Sequence, residues 1–245
     1  MKDNSLLKIL TAHNVGSRRY CFDLIKTGLV EVNNKVITDP AFEIDKQKDK
    51  IKVEGERLKL TEVKKIYIML NKPQGYLSST KSQDNKKTLF DLIKHKKLKK
   101  IKLFNVGRLD FKTEGLIFLT NDGDFAKYII MPRYKVLKHY IVEVKGKFPD
   151  ELLTKVKKGI YSREGKYKVE DIKILDRKNK YTRLEIILNE GKNREIRNIF
   201  AILKYKITLI RRVKIGPFSL PKSLKPGQYK LISSRQIDKF IKSFQ

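Results

Sequence analysis

The sequence predicts an α+β protein in two parts: a small N-terminal domain of two helices and a hairpin, and a larger domain with a mixed, mostly antiparallel sheet flanked by helices. Two observations lead to this prediction. In the larger part, segments with strand periodicity outnumber those with helical periodicity, and no glycine-rich turn joins a strand to a helix as in parallel nucleotide-binding sheets. A polar stretch separates the parts, and we place the boundary between residues 62 and 63.

The composition indicates a globular chain with a polyanionic partner. The 245 residues are 40% hydrophobic, and Lys plus Arg total 57 against 27 Asp plus Glu, a formal net charge of +30. No basic amphipathic helix accompanies this charge, so we expect nucleic acid rather than membrane as the partner. The apolar runs fall short of the roughly 20 residues that cross a bilayer, and the N-terminus lacks an export pattern. We therefore expect a cytoplasmic monomer.

The cysteine and histidine content argues against metal or thiol chemistry. Cys21 stands alone in a helical pattern, which favours a buried apolar role. His13, His95 and His139 are scattered and have no neighbours at metal-ligand spacing. We expect a site that works without a metal ion and without a thiolate.

Residues 5–55 carry the pattern of the small domain. Apolar residues at helical spacing begin at Leu6, and Ser17 is placed to cap a second helix that Gly28 ends. A hairpin follows, with Asn33 and Asn34 at its turn, because asparagine tolerates the positive φ that a tight turn requires. The second helix carries three cations that could meet phosphates as a cluster: Arg18, Arg19 and Lys26.

This segment resembles a small RNA-binding module first known from a ribosomal small-subunit protein. The matching residues are SRR at 17–19 and LIKTGLVEVNNKVITDP at 24–40. The chain departs from the module at Asn34, where glycine is usual, and at Ser5, where arginine is common. The resemblance implies that Arg18, Arg19 and Lys26 bind RNA. The alternative is that the two arginines only solvate a helix face.

The larger domain is expected to begin with a strand over 66–71. We interpret 54–65 as a linker and the lysine-rich 95–102 as a solvated basic loop. Helices are predicted over 88–93, 122–130, 150–158 and 193–203 and after residue 234, and strands over 106–110, 116–119, 139–144, 169–175, 184–188 and 207–215.

One carboxylate, Asp110, stands within VGRLDFKTEGLIFLTNDG at 106–123. If 106–110 is extended, Arg108 and Asp110 share one face while Leu109 points into the core. The following strand, 116–119, is apolar enough to be buried on both faces. This arrangement would hold Asp110 rigidly at a surface, which is what a nucleophile needs.

That motif is one of an ordered series. NKPQG at 71–75, KHY at 138–140, EGKNRE at 190–195 and IGP at 215–217 complete it. In this order the motifs resemble the RsuA/RluB family of RNA pseudouridine synthases, over nearly the whole chain. The resemblance implies isomerisation of a ribosomal RNA uridine, more typical of the large subunit, without an external cofactor. The substrate would be the RNA itself or an assembling ribosomal particle.

The resemblance also implies catalytic roles. Asp110 would be the nucleophile, since an aspartate is ionised at neutral pH and can attack covalently without an activating base. Lys192 is expected to be its positive partner, with Arg194 as the competing candidate. Tyr140 would stack on the target base, the alternative being an ordinary core aromatic. Whether the attack falls on the sugar or on the uracil ring stays open.

Other residues are expected to contact the RNA. Ile196 would pack beneath the base, although its helical position is equally compatible with the core. Arg108 would enter the RNA stack left by the extruded nucleotide, the alternative being a static ion pair with Asp110. Arg194 and Arg197 complete the expected RNA-binding set.

The last motif departs from the family pattern, with Glu195 where glutamine is frequent, Asn198 in place of a second arginine, and Ile199 in place of methionine. These changes bear on RNA contact and substrate choice. The competing hypothesis is a noncatalytic RNA-binding ribosome assembly factor that uses the same surface.

Overall fold

The computed structural model describes residues 4–61, 63–162, 165–192 and 194–244. The chain divides into an N-terminal unit, Met1–Lys65, and a C-terminal unit, Ile66–Gln245. Helices and a mixed, largely antiparallel sheet make up the C-terminal unit. The predicted α+β class is therefore confirmed. Within the described ranges, no helix is long and apolar enough to span a bilayer.

The N-terminal unit begins with helices α1 (Leu6–Ala12) and α2 (Arg18–Lys26). The predicted cap of α2 is present, because the Ser17 hydroxyl accepts a hydrogen bond from the Tyr20 amide. Four antiparallel strands follow in the spatial order β2-β1-β3-β4. Their bounds are Val30–Val32 for β1, Lys35–Val36 for β2, Ile51–Val53 for β3 and Glu56–Leu58 for β4.

Part of the predicted linker is structured. Strand β4 lies inside 54–65 and pairs with β3 through a turn at Glu54 and Gly55, both at positive φ. The linker prediction was wrong there because its polar residues belong to an exposed edge strand. The turn between β1 and β2 follows the prediction, with Asn33 and Asn34 at φ of 53° and 63°. Cys21 is fully buried in the core between the helices and the sheet.

The C-terminal unit is built on one sheet, whose main path runs β11-β12-β8-β13-β7-β5-β15. Neighbours pair antiparallel except β13 and β7, which are parallel, while β6 pairs with β7 and β14 with β13. The strands are β5 (Tyr67–Lys72), β6 (Phe104–Val106), β7 (Glu114–Thr120), β8 (Lys138–Lys145), β11 (Asp171–Lys178), β12 (Tyr181–Leu188), β13 (Ile207–Ile215), β14 (Phe218–Ser219) and β15 (Tyr229–Leu231).

A two-stranded hairpin, β9 (Ile160–Ser162) with β10 (Gly165–Tyr167), stands outside this sheet and was not predicted. The α-helices of the unit are α3 (Lys96–Lys99), α4 (Gly123–Ile130), α5 (Asp150–Lys158), α6 (Glu195–Ile202) and α7 (Ser234–Lys242), and short 3-10 helices lie at Leu89–Leu92, within the predicted helix 88–93, and at Pro132–Tyr134. Helix α3 lies within 95–102, so the prediction of a basic loop there was wrong. Its Leu98 is buried and anchors one helical turn that the surrounding lysines concealed.

Strand β7 separates two apolar cores. Leu116 and Phe118 face the core beneath α4 and α7, whereas Ile117 and Leu119 face the core that contains Tyr140 and α6. All four side chains are fully buried. The expectation of burial on both faces is thus confirmed, because each face of the sheet is covered.

The predicted strand over 106–110 is shorter than expected. Strand β6 ends at Val106, Gly107 takes a φ of +70°, and Asp110 lies in the loop that leads to β7. The alternation inferred for this segment survives: Leu109 is buried, while Arg108 is exposed and Asp110 is half-buried. Asp110 is therefore presented by a loop rather than by a strand.

Candidate active site

A cleft of about 190 Å³ opens on the C-terminal unit. One side, the Asp110 wall, is the loop 107–113. The other, the Lys192 wall, comprises residues 188–192 and 194–195. Side chains from β8, α6 and β13 also line the cleft. Among the lining residues are Arg108, Asp110, Lys138, Tyr140, Lys192, Arg194, Glu195, Ile196, Arg197 and Arg212.

The Asp110 wall is held by hydrogen bonds to its backbone. The Asp110 carbonyl accepts the Thr113 amide at 3.0 Å. The Ser78 hydroxyl donates to the Leu109 carbonyl and accepts from the Leu109 amide, at 2.8 and 3.1 Å. The Gly75 amide donates to the Phe111 carbonyl at 2.9 Å. These bonds constrain the main chain on both sides of the carboxylate.

Lys72, at the end of β5, supports the same wall from inside the protein. It is fully buried, and its Nζ donates to the carbonyls of Pro73, Asp110 and Thr113 at 3.1, 3.1 and 2.8 Å. Burial lowers the pKa of Lys72 to about 8, although the nearby charges of Asp110 and Glu114 oppose the change. A buried ammonium group with three carbonyl acceptors acts as a fixed internal cross-link.

Gly115 allows β7 to approach β13 closely. Its φ is +108°, and a Cβ there would lie 2.2 Å from the Arg212 carbonyl oxygen. Any other residue would push the two strands apart. The Asp110 wall, which leads into β7, therefore depends on this glycine for its position relative to β13.

The positive partner of Asp110 is Arg197 of α6. The Arg197 Nε lies 3.2 Å from Asp110 Oδ2, and its Nη2 donates to the Lys112 carbonyl and to Thr113 Oγ1, both at 3.0 Å. The prediction that Lys192 fills this role is wrong in the structure. Lys192 precedes α6, whereas Arg197 lies on the helix face turned toward the loop. For Arg197, the sequence predicts only a role in RNA binding.

Lys192 lines the cleft but pairs elsewhere. Its Nζ lies 2.8 Å from Glu190 Oε1 and donates to the Lys166 carbonyl at 3.1 Å. The hydrogen bond to Glu190 raises the pKa of Lys192. Its side chain is 45% exposed. Arg194, the competing candidate, is the exposed residue before α6, at a φ of +51°, and also lines the cleft.

Tyr140 lies on β8 opposite Arg212 of β13 and is almost fully buried at the cleft. The Arg212 Nη1 is 3.4 Å from the phenol oxygen, and its Nε donates to the Leu116 carbonyl at 2.8 Å. The Arg212 Nη2 is buried without a hydrogen-bond partner within the described residues. Tyr140 also packs in the apolar core, so the structure is compatible with both roles considered for it.

Lys138, two residues before Tyr140, is a second buried cation at this end of the cleft, in addition to Arg212. Its Nζ donates to the Asn189 carbonyl at 3.0 Å, which joins β8 to the Lys192 wall. Burial lowers the pKa of Lys138 to about 8, and the positive charge of Arg212 adds to the effect. The buried positive charges of Lys138 and Arg212 make this end of the cleft electropositive.

Glu195 is a buried acid at the start of α6. Burial raises the pKa of its carboxyl to about 7, and the charge of Glu190 adds to the rise. The Lys192 ammonium and the amides of Lys192 and Lys168 lower the pKa of this carboxyl. Within the described residues, however, neither carboxyl oxygen of Glu195 forms a hydrogen bond. The amides thus act as nearby dipoles rather than as hydrogen-bond donors.

Ile196 and Arg108 both line the cleft. Ile196 is buried, contributes to the core and lines the cleft, so both readings of this residue remain compatible with the structure. Arg108 is exposed at the rim. Among the described residues, the ion pair of Asp110 is with Arg197 rather than with Arg108.

The N-terminal unit carries the other predicted cations. Arg18, Arg19 and Lys26 lie exposed on α2. Lys26 Nζ lies 5.9 Å from the centroid of the half-exposed Phe22 ring. A shallow depression nearby is lined by Arg18, Arg19, Phe22 and residues 39–41.

Sequence reasoning assigned no site role to Lys72, Lys138 or Arg212. Lys72 could have been noticed, because it lies two residues after the apolar run YIML at 67–70, and a lysine in a buried strand must be paired. Lys138 and Arg212 belong to strands whose polar residues otherwise face solvent. Their burial follows from the covering of the sheet, which the sequence does not show.

The fold and the cleft define a class of protein: a basic chain with a small domain and an enzyme-like cleft in which a loop-borne carboxylate meets buried cations. Comparison with known proteins makes this specific. Residues 66–202 match the RNA pseudouridylate synthase family, and residues 6–51 match the S4 domain. The chain belongs to the RNA pseudouridine synthase family and carries an N-terminal S4 domain, so it is an enzyme of that family with an RNA partner.

Individual relatives are similar to this chain over most of their length. An uncharacterized RNA pseudouridine synthase of Aquifex aeolicus is 35% identical over 99% of this chain and 96% of the relative. The ribosomal large subunit pseudouridine synthase B of Bacillus subtilis is 35% identical over 84% of this chain and 83% of its own. The crystal structure of a pseudouridylate synthase superposes with a TM-score of 0.64 at 28% identity, covering 96% and 98% of the two chains.

Proposed function

We propose that this enzyme isomerises a uridine of ribosomal RNA, in the large subunit, to pseudouridine with Asp110 as the nucleophile. The observation that carries the proposal is the presentation of Asp110: its backbone is cross-linked by Lys72, its carboxylate is oriented by Arg197, and its side chain is 40% exposed in the cleft. A carboxylate that is both fixed and accessible suits covalent attack.

The isomerisation exchanges one bond to the sugar for another. The bond from N1 of uracil to C1′ of ribose breaks, the base turns, and a bond from C5 to C1′ forms. A proton leaves C5 and N1 ends with a proton, so no atom is gained or lost. A carboxylate oxygen of Asp110 makes the transient covalent bond, to the sugar or to the uracil ring.

Arg197 is the positioning partner in this mechanism. Its guanidinium contacts the Asp110 carboxylate, the Lys112 carbonyl and the Thr113 hydroxyl together, so one planar group sets the carboxylate relative to its own loop. Lys192 is instead assigned to RNA contact at the opposite wall, because it is exposed and its partner Glu190 lies at the surface of the same segment.

The target base would lie between Tyr140 and Ile196. A phenol ring can stack on uracil, and its hydroxyl can move a proton. Arg212 Nη1 donates to the Tyr140 oxygen at 3.4 Å, so it can help to orient that hydroxyl. Extruding a uridine from folded RNA costs a few kcal/mol, which the exposed Arg108 at the rim can offset by entering the vacated stack.

The choice of ribosomal RNA rests on the motifs and on the relatives. The Bacillus subtilis relative is named as a large-subunit enzyme, and the S4 domain with the net charge of +30 suits a large RNA. Removing residues before about 62 is expected to weaken RNA binding and to make it less sensitive to salt, because fewer phosphates are then neutralised.

The decisive variant is Asp110→Asn, which keeps the size of the side chain and removes the nucleophile. We expect pseudouridine formation to be abolished while RNA affinity stays within about threefold. The measurement is pseudouridine content of ribosomal RNA after incubation with each enzyme. Full activity of the variant would contradict the nucleophile assignment.

The substrate is identified by mapping pseudouridines in ribosomal RNA from cells with and without the gene. A single position missing from large-subunit RNA is the expected result. A position missing from small-subunit RNA would correct the subunit. No missing position would favour the competing role as a noncatalytic assembly factor, which the charge and the S4 domain alone would also support.

A further inference from the structure

Two exposed aromatic rings lie outside the residues that line the cleft, one in the loop of the Asp110 wall and one on β9, and each has a lysine over it. Phe111 follows Asp110 directly and is 36% exposed, with Lys86 Nζ 5.9 Å from its ring centroid. Tyr161 of β9 is 74% exposed, with Lys166 Nζ 5.0 Å from its centroid. The chemistry described above uses neither ring.

Phe111 is fixed at the edge of the Asp110 wall. The Gly75 amide donates to its carbonyl at 2.9 Å, which fixes the main chain from which the ring projects. Consecutive Cα atoms lie about 3.8 Å apart, so the ring starts from the main-chain position next to the one that carries the carboxylate. A nucleotide adjacent to the target uridine would therefore pass over this ring.

Tyr161 belongs to the side of the Lys192 wall. It is the register partner of Lys166 in the β9–β10 hairpin, and the Lys166 carbonyl accepts the Lys192 Nζ, which lines the cleft. Phe111 thus belongs to the Asp110 wall, and Tyr161 is connected to the Lys192 wall through Lys166. Each stands beside a residue that the RNA must pass.

The combination of ring and lysine suits single-stranded RNA. A ring stacks on the face of an unpaired base whatever its identity, while a lysine beside it reaches the phosphate. A base inside a duplex offers no free face to such a ring. In the absence of RNA, the lysine lies over the ring through a cation–π contact.

We propose that Phe111 and Tyr161 stack on the nucleotides flanking the target uridine, so that this enzyme selects RNA that is unpaired on both sides of its target. The proposal rests on the proposed function, since the target is the uridine that meets Asp110. Lys86 and Lys166 leave the rings when bases arrive and contact the neighbouring phosphates.

The test uses the full-length protein and a 15-nucleotide RNA with one central uridine and 2-aminopurine at either neighbour, either single-stranded or annealed to its complement. Phe111→Leu and Tyr161→Leu are each expected to weaken single-strand binding about 5- to 100-fold. Duplex binding should change less than twofold. Each variant should also restore the fluorescence of the 2-aminopurine that its own ring quenches.

Tyr181→Leu is the matched control. Its ring also lies near cations, Lys178 at 5.8 Å and Arg183 at 5.6 Å. Tyr181 pairs with Lys145, about 16 Å along β12 from the residue that pairs with Tyr140. This variant should leave both affinities within twofold. Phe111→Tyr and Tyr161→Phe keep an aromatic ring and should bind as the natural chain does.

Equal losses on single-stranded and duplex RNA, or no loss in either variant, would overturn the proposal. Loss in one variant alone would limit stacking to that ring and overturn the two-sided requirement. The assay measures binding and stacking, so it is separate from the chemistry. If Asp110→Asn still forms pseudouridine, the nucleophile assignment fails while a selective loss of single-strand binding still stands.

Discussion

The two walls of the cleft are built in contrasting ways. On the Asp110 wall, donors from distant parts of the chain converge on the main chain: Lys72 from β5, the Ser78 hydroxyl and Arg197 from α6. On the Lys192 wall, Lys138 of β8 holds the Asn189 carbonyl, but the exposed Lys192 forms its ion pair with Glu190 of its own segment. A wall fixed by distant donors can hold a nucleophile in one place, whereas locally paired cations can exchange their partners for phosphates.

The contrast predicts that Lys72→Met is the most damaging change. Methionine fills similar space but leaves three buried carbonyls without their donor, so the free energy of unfolding should fall by about 3 kcal/mol. Urea denaturation measures the fall, and Lys145→Met, an exposed lysine at the end of β8, is the control. A loss below about 1 kcal/mol would show that the Asp110 wall does not depend on the buried ammonium.

Arg197→Met tests the corrected partner of Asp110. Without the guanidinium, the carboxylate loses its orienting contact, so kcat should fall about 100-fold while the stability changes little. Steady-state pseudouridine formation at saturating RNA measures kcat. Arg197→Lys should recover part of the activity, because a charge returns without the planar contacts to Lys112 and Thr113. Unchanged kcat in Arg197→Met would return the partner role to another cation.

Glu195→Gln tests the Lys192 wall through the pH dependence of the protein's stability. The folded-state pKa of Glu195 is raised from 4.5 to about 7 by burial, so between these values the folded state holds a proton that the unfolded state has lost. Stability therefore falls as pH rises through this window. Removing the carboxyl should stabilise the protein by about 2 kcal/mol at pH 8 and by much less at pH 5.

Urea denaturation at the two pH values checks the sign. Glu185 is the control, because burial raises its pKa but Lys173 and His139 more than offset the rise and leave the pKa lowered. Glu185→Gln should therefore destabilise the protein at pH 8. The same gain at both pH values in Glu195→Gln would mean that the buried carboxyl is not ionising within this window.

Lys192→Met is the smallest expected change. Because Lys192 is exposed and bonded to Glu190 and to the Lys166 carbonyl rather than to Asp110, its loss should raise KM about three- to tenfold and leave kcat within about threefold. Steady-state kinetics at two salt concentrations separate the effects, since a phosphate contact weakens with salt. A 100-fold loss of kcat would restore Lys192 as a catalytic residue and remove the contrast between the walls.

Much of the fold could be predicted because its signals are local. The Ser17 cap, the asparagine turn and the doubly buried β7 each follow from a few adjacent residues. The secondary-structure predictions were wrong where local sequence preferences compete with packing against other parts of the chain. Leu98 turns part of a lysine-rich segment into helix, and β4 forms because β3 offers it an edge.

The site divides in the same way. The sequence by itself determined that Asp110, Tyr140 and Lys192 belong to one ordered series of motifs, since motif order is a property of the chain. It could not determine which cation meets Asp110. Lys192, Arg194 and Arg197 lie within six positions of one another, and the choice depends on where α6 begins and how it is rotated against a loop 87 residues away. Only the tertiary structure decided for Arg197, because a side chain reaches only a few ångströms and packing sets which one faces the loop.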